Sequence, residues 1–277
     1  MQKIGVIGLG PIGKHFVSLL LKYEYDVSVF DLVQEYVDNA ITHGAKAAVS
    51  IGDLTEKTDV VILALPGNKA LKIVMEQENG VLATLKKGQI VIDTGTSHPD
   101  LDALYEHLCE EKGASFIDSP VTWRKSGLIL MPSGKKDVFE SVENVISCIS
   151  YKYKYIGSIG RGQVLKSVNQ MIFSNMGALW AEAVEYSTKN NIDRELLVDF
   201  LEMNIPDRLF GDDFSRISGT VELNYKDLLY VIELAHESNA NIPLTNMVHE
   251  VYKYTMAKGD GKLDQNAIIQ YWRALNK

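Results

Sequence analysis

Cysteine is nearly missing from this 277-residue chain: only Cys109 and Cys148 occur, far apart and without CxxC spacing. That argues against a disulfide framework or a thiolate metal cluster and suits two reduced structural thiols. The six histidines show neither an HExxH pattern nor grouping with cysteine, so no metal is expected. Long apolar runs are also missing. The longest, VVILAL from Val60 to Leu65, falls far short of the roughly 20 residues that cross a bilayer, and no membrane partner is expected. MQKIGVIGLG enters a strand-like run with no basic and apolar leader before it, which makes a cytoplasmic location the expectation. Nor is there an excess of positive charge. A formal net charge of −8 argues against nucleic acid as a partner, because binding phosphates needs a basic face. The one interleave of basic and aromatic residues, YKYKY at Tyr151–Tyr155, has period 2 and reads as an edge strand with its lysines outward.

What is present is enough length and apolar content, 46%, for two ordinary cores. Up to Gly160, short runs rich in Val and Ile (IGVI, VSVFD, DVVILAL, QIVID, SFIDSPV) alternate with helix-length segments. The alternation predicts an α/β, Rossmann-type doubly wound sheet, mainly parallel, over residues 1–160. Over 161–277 the periods become helical. Leu165, Val168, Ile172, Met176, Leu179 and Ala183 recur at three- and four-residue steps, marking one apolar face of a helix that runs to about Asn190. More helices are expected over 194–203, 222–238 and 244–258, the last capped by Gly259. The expected second half is therefore an all-α C-terminal domain that begins with a long interdomain helix.

GLGPIG follows the first strand and precedes a helix, placing Gly8, Leu9, Gly10, Pro11, Ile12 and Gly13 in GxGxxG spacing. In that context the glycines permit a tight turn and close approach of the backbone to a pyrophosphate at the helix N-terminus. Asp31 ends the second strand, where a carboxylate bonds ribose hydroxyls; its bland reading is a helix cap. Because Glu35 and Asp38 but no Arg or Lys follow in LVQEYVDNA, NAD rather than NADP is the expected cofactor.

A second glycine-rich stretch, IGSIGRGQVLKSVNQ from Ile156 to Gln170, raises a choice between another phosphate cradle and a site of chemistry. Lys166, Asn169 and Gln170 stand at i, i+3 and i+4 and so share one helical face. Read from the residues alone, that face is either solvated or turned into a cleft.

Together with GLGPIGKHF, five further segments make the chain similar to the β-hydroxyacid dehydrogenase family. They are the LPG turn at Leu65–Gly67, DTGTSHP at Asp93–Pro99, DSPV at Asp118–Val121, GSIGRGQVLKSVNQ at Gly157–Gln170 and YKDLLYVIELA at Tyr225–Ala235. The family includes 3-hydroxyisobutyrate dehydrogenase, tartronate semialdehyde reductase and, more distantly, 6-phosphogluconate dehydrogenase. The resemblance implies an NAD-dependent oxidoreductase that acts on a small carboxylate, a 3-hydroxy acid or its semialdehyde. It implies that Lys166 is the catalytic acid or base and that Asn169 and Gln170 hold substrate. Leu65, Pro66 and Thr96 would lie along the cofactor, Thr96 near the nicotinamide ribose. Lys226 would close the cofactor site from the helical domain, although the residues alone equally suit a solvated lysine paired with an acid. A lysine that serves as base near neutral pH must have its ordinary value, about 10.4, lowered by burial or nearby cations, for which Arg161 and Arg124 are candidates. A homo-oligomer, dimer or tetramer, is also implied.

The chain departs from the family pattern after DSPV. Where the family has a serine and two glycines, this sequence has Thr122, Trp123 and Arg124, followed by Lys125, and the segment is shorter. Thr122, Trp123 and Arg124 are candidate substrate contacts. Three readings stay open: a more anionic substrate held by Arg124 and Lys125, a pocket plugged by Trp123 in an atypical or inactive NAD-binding sensor or interaction protein, or a surface turn with no role. An imine reductase is a further alternative, disfavoured because that resemblance would predict another residue at position 166.

Overall fold

The computed structural model describes residues 2–276. Backbone contacts divide the chain after Lys166 into two compact units.

The first unit is built on strands β1 (Lys3–Ile7), β2 (Asp26–Phe30), β3 (Lys46–Ala47), β4 (Val60–Leu63), β5 (Ile90–Asp93) and β6 (Ser115–Asp118). Between them run α1 (Pro11–Lys22), α2 (Gln34–Thr42), α3 (Ile51–Lys57), α4 (Asn68–Glu76), α5 (Val81–Thr84) and α6 (Pro99–Glu111). All six strands are parallel, in the order β3-β2-β1-β4-β5-β6. The strand order reverses direction between β1 and β4, which opens a crevice at their carboxyl ends. Strands covered on both faces need continuous apolar sequence, and Val60–Leu63 is buried at every position. Two cores result, one packing Phe16, Leu20 and Val29 on one face, the other Leu54, Leu71 and Tyr105 on the opposite face.

The run SFIDSPV, expected as one strand, is split. β6 ends at Asp118, and the chain restarts as β7 (Val121–Arg124), which pairs antiparallel with β8 (Gly127–Leu130) in a separate sheet. Pro120 has no N–H to give a continuing ladder, and the Asp118 backbone bridges Ser133 instead. After α7 (Lys136–Cys148), β9 (Lys152–Tyr153) adds to β8 as the edge of that sheet, the place expected for YKYKY. Tyr153 and Tyr155 pack on Phe139, while Lys152 and Lys154 are exposed.

The second unit holds most of α8 (Arg161–Lys189), then α9 (Val221–Glu237), α10 (Pro243–Ala257) and α11 (Ile269–Leu275), around a core of Val184, Leu209, Leu228 and Tyr252. Gly259, left-handed at φ 91°, ends α10 as expected. The helix expected over 194–203 is reduced to one π-helical stretch, Glu195–Phe200. Left-handed Glu202 and then Pro206 prevent its extension. Along α8 the polar residues Gln163, Lys166, Gln170 and Ser174 are buried, and the apolar stripe is the exposed side: Ile172 keeps 51% and Leu179 65% of its accessible surface. Among the described residues no helix is long and apolar enough to cross a membrane.

Candidate active site

GLGPIG, Asp31, LPG, DTGTSHP and DSPV lie at the carboxyl ends of the parallel strands β1, β2, β4, β5 and β6. After β1, Gly8 takes φ +92° and its N–H donates to Phe30 O (3.0 Å). A side chain there would come within 2.5 Å of Ala64 O, and one at Gly13 would overlap Gly8 O. Gly10 differs: a Cβ built on it meets nothing within 4 Å, so this glycine borders open space beside the start of α1. Pro11 is the first helical residue and has no N–H, leaving those of Ile12 and Gly13 as donors without intrahelical partners. Asp31, beyond β2, accepts from Leu9 N (2.5 Å) and Val33 N (2.8 Å), which joins the end of β2 to the glycine turn. The cradle left open at Gly10, the free N–H groups and this carboxylate together fit a dinucleotide.

Leu65 and Pro66 follow β4, and Gly67 caps α4. Asn68 at the start of α4 accepts from His98 N (2.9 Å), which ties that turn to the loop after β5. In this loop Gly95 and Ser97 are buried while Thr96 between them is partly exposed.

The second glycine stretch already has its anion. Gly160 N donates to Asp118 Oδ1 (2.8 Å), and Gly162 N to Ser133 Oγ (2.8 Å), which itself donates to Asp118 Oδ1. A Cβ on Gly162 would fall 2.5 Å from Asp118 Oδ2. The backbone donors that would hold a phosphate are thus bonded to the chain's own carboxylate and hydroxyl. Burial is the main cause that raises the Asp118 carboxyl to about 7, the bonds from Ser133 and Gly160 opposing it. One turn into α8, Lys166 is buried, whereas Arg161 is exposed.

In the second unit, Asn169 Nδ2 donates to Gln170 Oε1 (2.8 Å), and Gln170 Nε2 donates to Asp227 Oδ2 (2.5 Å). The other Asp227 oxygen lies 3.0 Å from Lys226 Nζ, in ion-pair rather than hydrogen-bond geometry. The structure therefore brings Asn169, Gln170 and Lys226 into one network. Its centre, Asp227, was not singled out in the sequence, though it adjoins Lys226 in the YKDLL run. Lys166 stands one turn before Gln170 on the same unbroken helix.

Thr122, Trp123 and Arg124 form strand β7 of a hairpin closed by Lys125 and Ser126. The Arg124 guanidinium turns back along its own strand, donating to Thr122 Oγ1 (2.8 Å) and Trp123 O (3.0 Å). Trp123, about half exposed, rests on His15 of α1 with ring centroids 4.9 Å apart. The hairpin thus meets the helix that follows the glycine turn. No spacing in the sequence announced His15.

A dinucleotide crevice at the switch point of a doubly wound sheet, with a buried lysine at the head of a long helix, defines the class of nicotinamide-dependent dehydrogenases. Residues 3–157 match the model for the NAD binding domain of 6-phosphogluconate dehydrogenase, and residues 160–272 that for the NAD-binding region of NADP-dependent 3-hydroxyisobutyrate dehydrogenase. The 2-(hydroxymethyl)glutarate dehydrogenase of Eubacterium barkeri is 28% identical, over 99% of this chain and 95% of its own. Mouse (Mus musculus) mitochondrial 3-hydroxyisobutyrate dehydrogenase is 27% identical, over 98% and 87%. The solved 3-hydroxyisobutyrate dehydrogenase of Salmonella typhimurium superposes with a TM-score of 0.87 at 20% identity, covering 98% of this chain and 100% of that one. An imine reductase from Myxococcus stipitatus superposes with 0.64 at 19% identity, covering 98% and 99%. The chain belongs to the β-hydroxyacid dehydrogenase family, whose members bind NAD or NADP and act as oxidoreductases.

Proposed function

We propose that this protein transfers a hydride between NAD and a small 3-hydroxy acid or its semialdehyde, with Lys166 as the acid and base. The observation that carries the reading is the placement of Lys166: buried one turn into α8, behind a helix start fixed to β6 through Gly160 and Asp118. When bound, NAD accepts or supplies the hydride. Gly8, Leu9, Gly10, Pro11, Ile12 and Gly13 would hold its pyrophosphate, Asp31 its adenosine ribose, and Leu65, Pro66 and Thr96 its nicotinamide half. In oxidation neutral Lys166 takes the hydroxyl proton; in reduction its ammonium returns one to the carbonyl oxygen. Asn169 and Gln170, fixed by Asp227, would orient the substrate, and Lys226 would meet the cofactor. Residues 1–160 would form the cofactor domain and 161–277 the helical one.

A substrate with a second anionic group agrees best with Thr122, Trp123 and Arg124 in place of a glycine loop. The Eubacterium barkeri relative, named for a dicarboxylate, supports this. The exposed stripe of Val168, Ile172, Met176 and Leu179 supports a homo-oligomer formed through α8, since contiguous apolar surface of this kind marks interaction sites. Two free cysteines agree with a reducing, cytoplasmic setting.

The test is a panel of hydroxy acids and semialdehydes, including dicarboxylate, phosphorylated and sulfonated ones, followed by NADH absorbance with NAD and with NADP. Turnover of at least one with NAD is expected. Tight NADH binding with no turnover on the whole panel would replace the enzyme by a nucleotide-binding sensor.

A further inference from the structure

Gln163 is buried at 2% exposure, and both its amide nitrogen and its amide oxygen bond one short loop, the side chain also facing Asp102 of α6. Its Nε2 donates to Gly95 O (3.1 Å) and Ser97 Oγ (2.8 Å), and its Oε1 accepts from Ser97 N (3.2 Å). These bonds flank Thr96 on both sides. Three residues farther along the same helix stands Lys166, on the same face. We propose that Gln163 is a positioning residue, a three-point grip that locks the loop carrying Thr96 to the helical turn carrying Lys166 so that the two keep one geometry. The inference rests on the roles proposed above for Thr96 and Lys166.

The grip is held from behind by a relay whose hydrogens can be counted. Ser97 Oγ lies 3.0 Å from Asp93 Oδ2, 2.8 Å from Asp102 Oδ1 and 2.8 Å from Gln163 Nε2. A hydroxyl has one hydrogen and cannot donate to both carboxylates. Both Asp93 oxygens have donors beside them, Gly95 N on Oδ1 (2.9 Å) and Ser97 Oγ on Oδ2, so Asp93 takes the Ser97 hydrogen. Asp102 must then donate its own proton to Ser97. Its other oxygen is buried without a hydrogen-bond partner, tolerable in a neutral acid and costly in an anion. Burial, then the nearby Asp93 and Asp118 carboxylates, push Asp102 well above the usual range, the bonds with Ser97 and Gln163 opposing them. Tyr105, bonded to Glu76 (2.7 Å), adds no cation on that side. Ser97 therefore receives hydrogens from Asp102 and Gln163 and passes its own to Asp93, so turning either the loop or Gln163 would break a buried hydrogen bond.

Gln163→Glu in the full chain tests this, because the carboxyl keeps the amide's shape but reproduces its donor only when protonated. Asp93, Asp102 and Asp118 lie toward it from the sheet and α6, and Lys166 is one turn along its own helix. NADH affinity by fluorescence titration should stay within about twofold of the unaltered chain at about pH 6 and fall about tenfold or more at about pH 8.5. Hydrogen exchange should rise at the higher pH in peptides spanning 94–98 and 161–166 together. Asp102→Asn keeps a donor toward Ser97 and should leave affinity and exchange near those of the unaltered chain at both pH values. Unchanged affinity of Gln163→Glu at the higher pH, or exchange rising in 161–166 alone, would overturn the grip. An unaltered chain that fails to bind NADH would overturn the dehydrogenase reading and this one with it; normal binding with an indifferent Gln163→Glu overturns this one alone.

Discussion

Gly162 and Asp118 are packed so closely that a single methyl group on the glycine would stand 2.5 Å from the carboxylate oxygen Oδ2. The contact is what lets the head of α8 be fastened to the end of β6. Gly162→Ala should therefore cost several kcal/mol, in the range of a forced backbone displacement, or prevent folding. Gly10→Ala should leave stability nearly unchanged, since its Cβ meets nothing within 4 Å, but should weaken NADH binding at least about tenfold if pyrophosphate fills that space. Urea denaturation and NADH titration of both variants check the pair.

Cofactor choice should follow Asp31, held by Leu9 N and Val33 N at the end of β2. NADH is expected to bind much more tightly than NADPH, and Asp31→Ala to narrow that gap, read by competitive fluorescence titration. Equal affinity of the unaltered protein for both would remove Asp31 from the specificity role.

Lys166→Ala should lose on the order of 10² to 10⁴ in turnover while NADH affinity stays within about twofold, since proton transfer is what the change removes. Single-turnover NADH absorbance on whichever substrate the panel yields measures it. A variant with full turnover would rule this lysine out as acid or base.

Arg124 must release Thr122 Oγ1 and Trp123 O to reach a ligand, so its contribution is expected in binding rather than chemistry. Arg124→Ala should raise KM for a doubly anionic substrate about tenfold, the equivalent of one charged hydrogen bond, and hardly alter that for a singly charged analogue. Equal effects on both would place Arg124 outside the site and point to Trp123 instead.

Asp118, raised by burial to about 7, makes stability depend on pH. A folded-state value above the unfolded one, about 3.9, means that the native chain holds the proton more tightly. The stability so gained is complete below about pH 4 and disappears as pH rises through 7, by up to about 1.4 kcal/mol per pH unit between. Asp118→Asn should flatten that part of the decline in urea midpoints between about pH 4 and pH 7. An equally steep slope in the variant would assign the dependence to other groups.

Much of the fold was written in the chain. Continuous apolar runs such as Val60–Leu63 identified doubly covered strands, and GxGxxG after the first of them located a tight strand-to-helix turn, because local sterics allow few residues there. The common face of Lys166, Asn169 and Gln170 followed from helical period alone. Periodicity also separated the two sides of α8, but it could not say which one would be covered. The apolar stripe is exposed and the polar side buried, since burial depends on which partners close over a helix and not on its own pattern.

Tertiary structure alone decided the contacts made at long sequence separation. Ser133 and Asp118 take the donors of the second glycine turn, Asp227 accepts from Gln170, and Trp123 finds His15 on α1. The sequence determined which groups each local segment could offer, through backbone sterics and side-chain chemistry. Which of those groups would meet was settled by the packing of the sheet and the helices, where most buried donors and charges find partners on elements far apart in the chain.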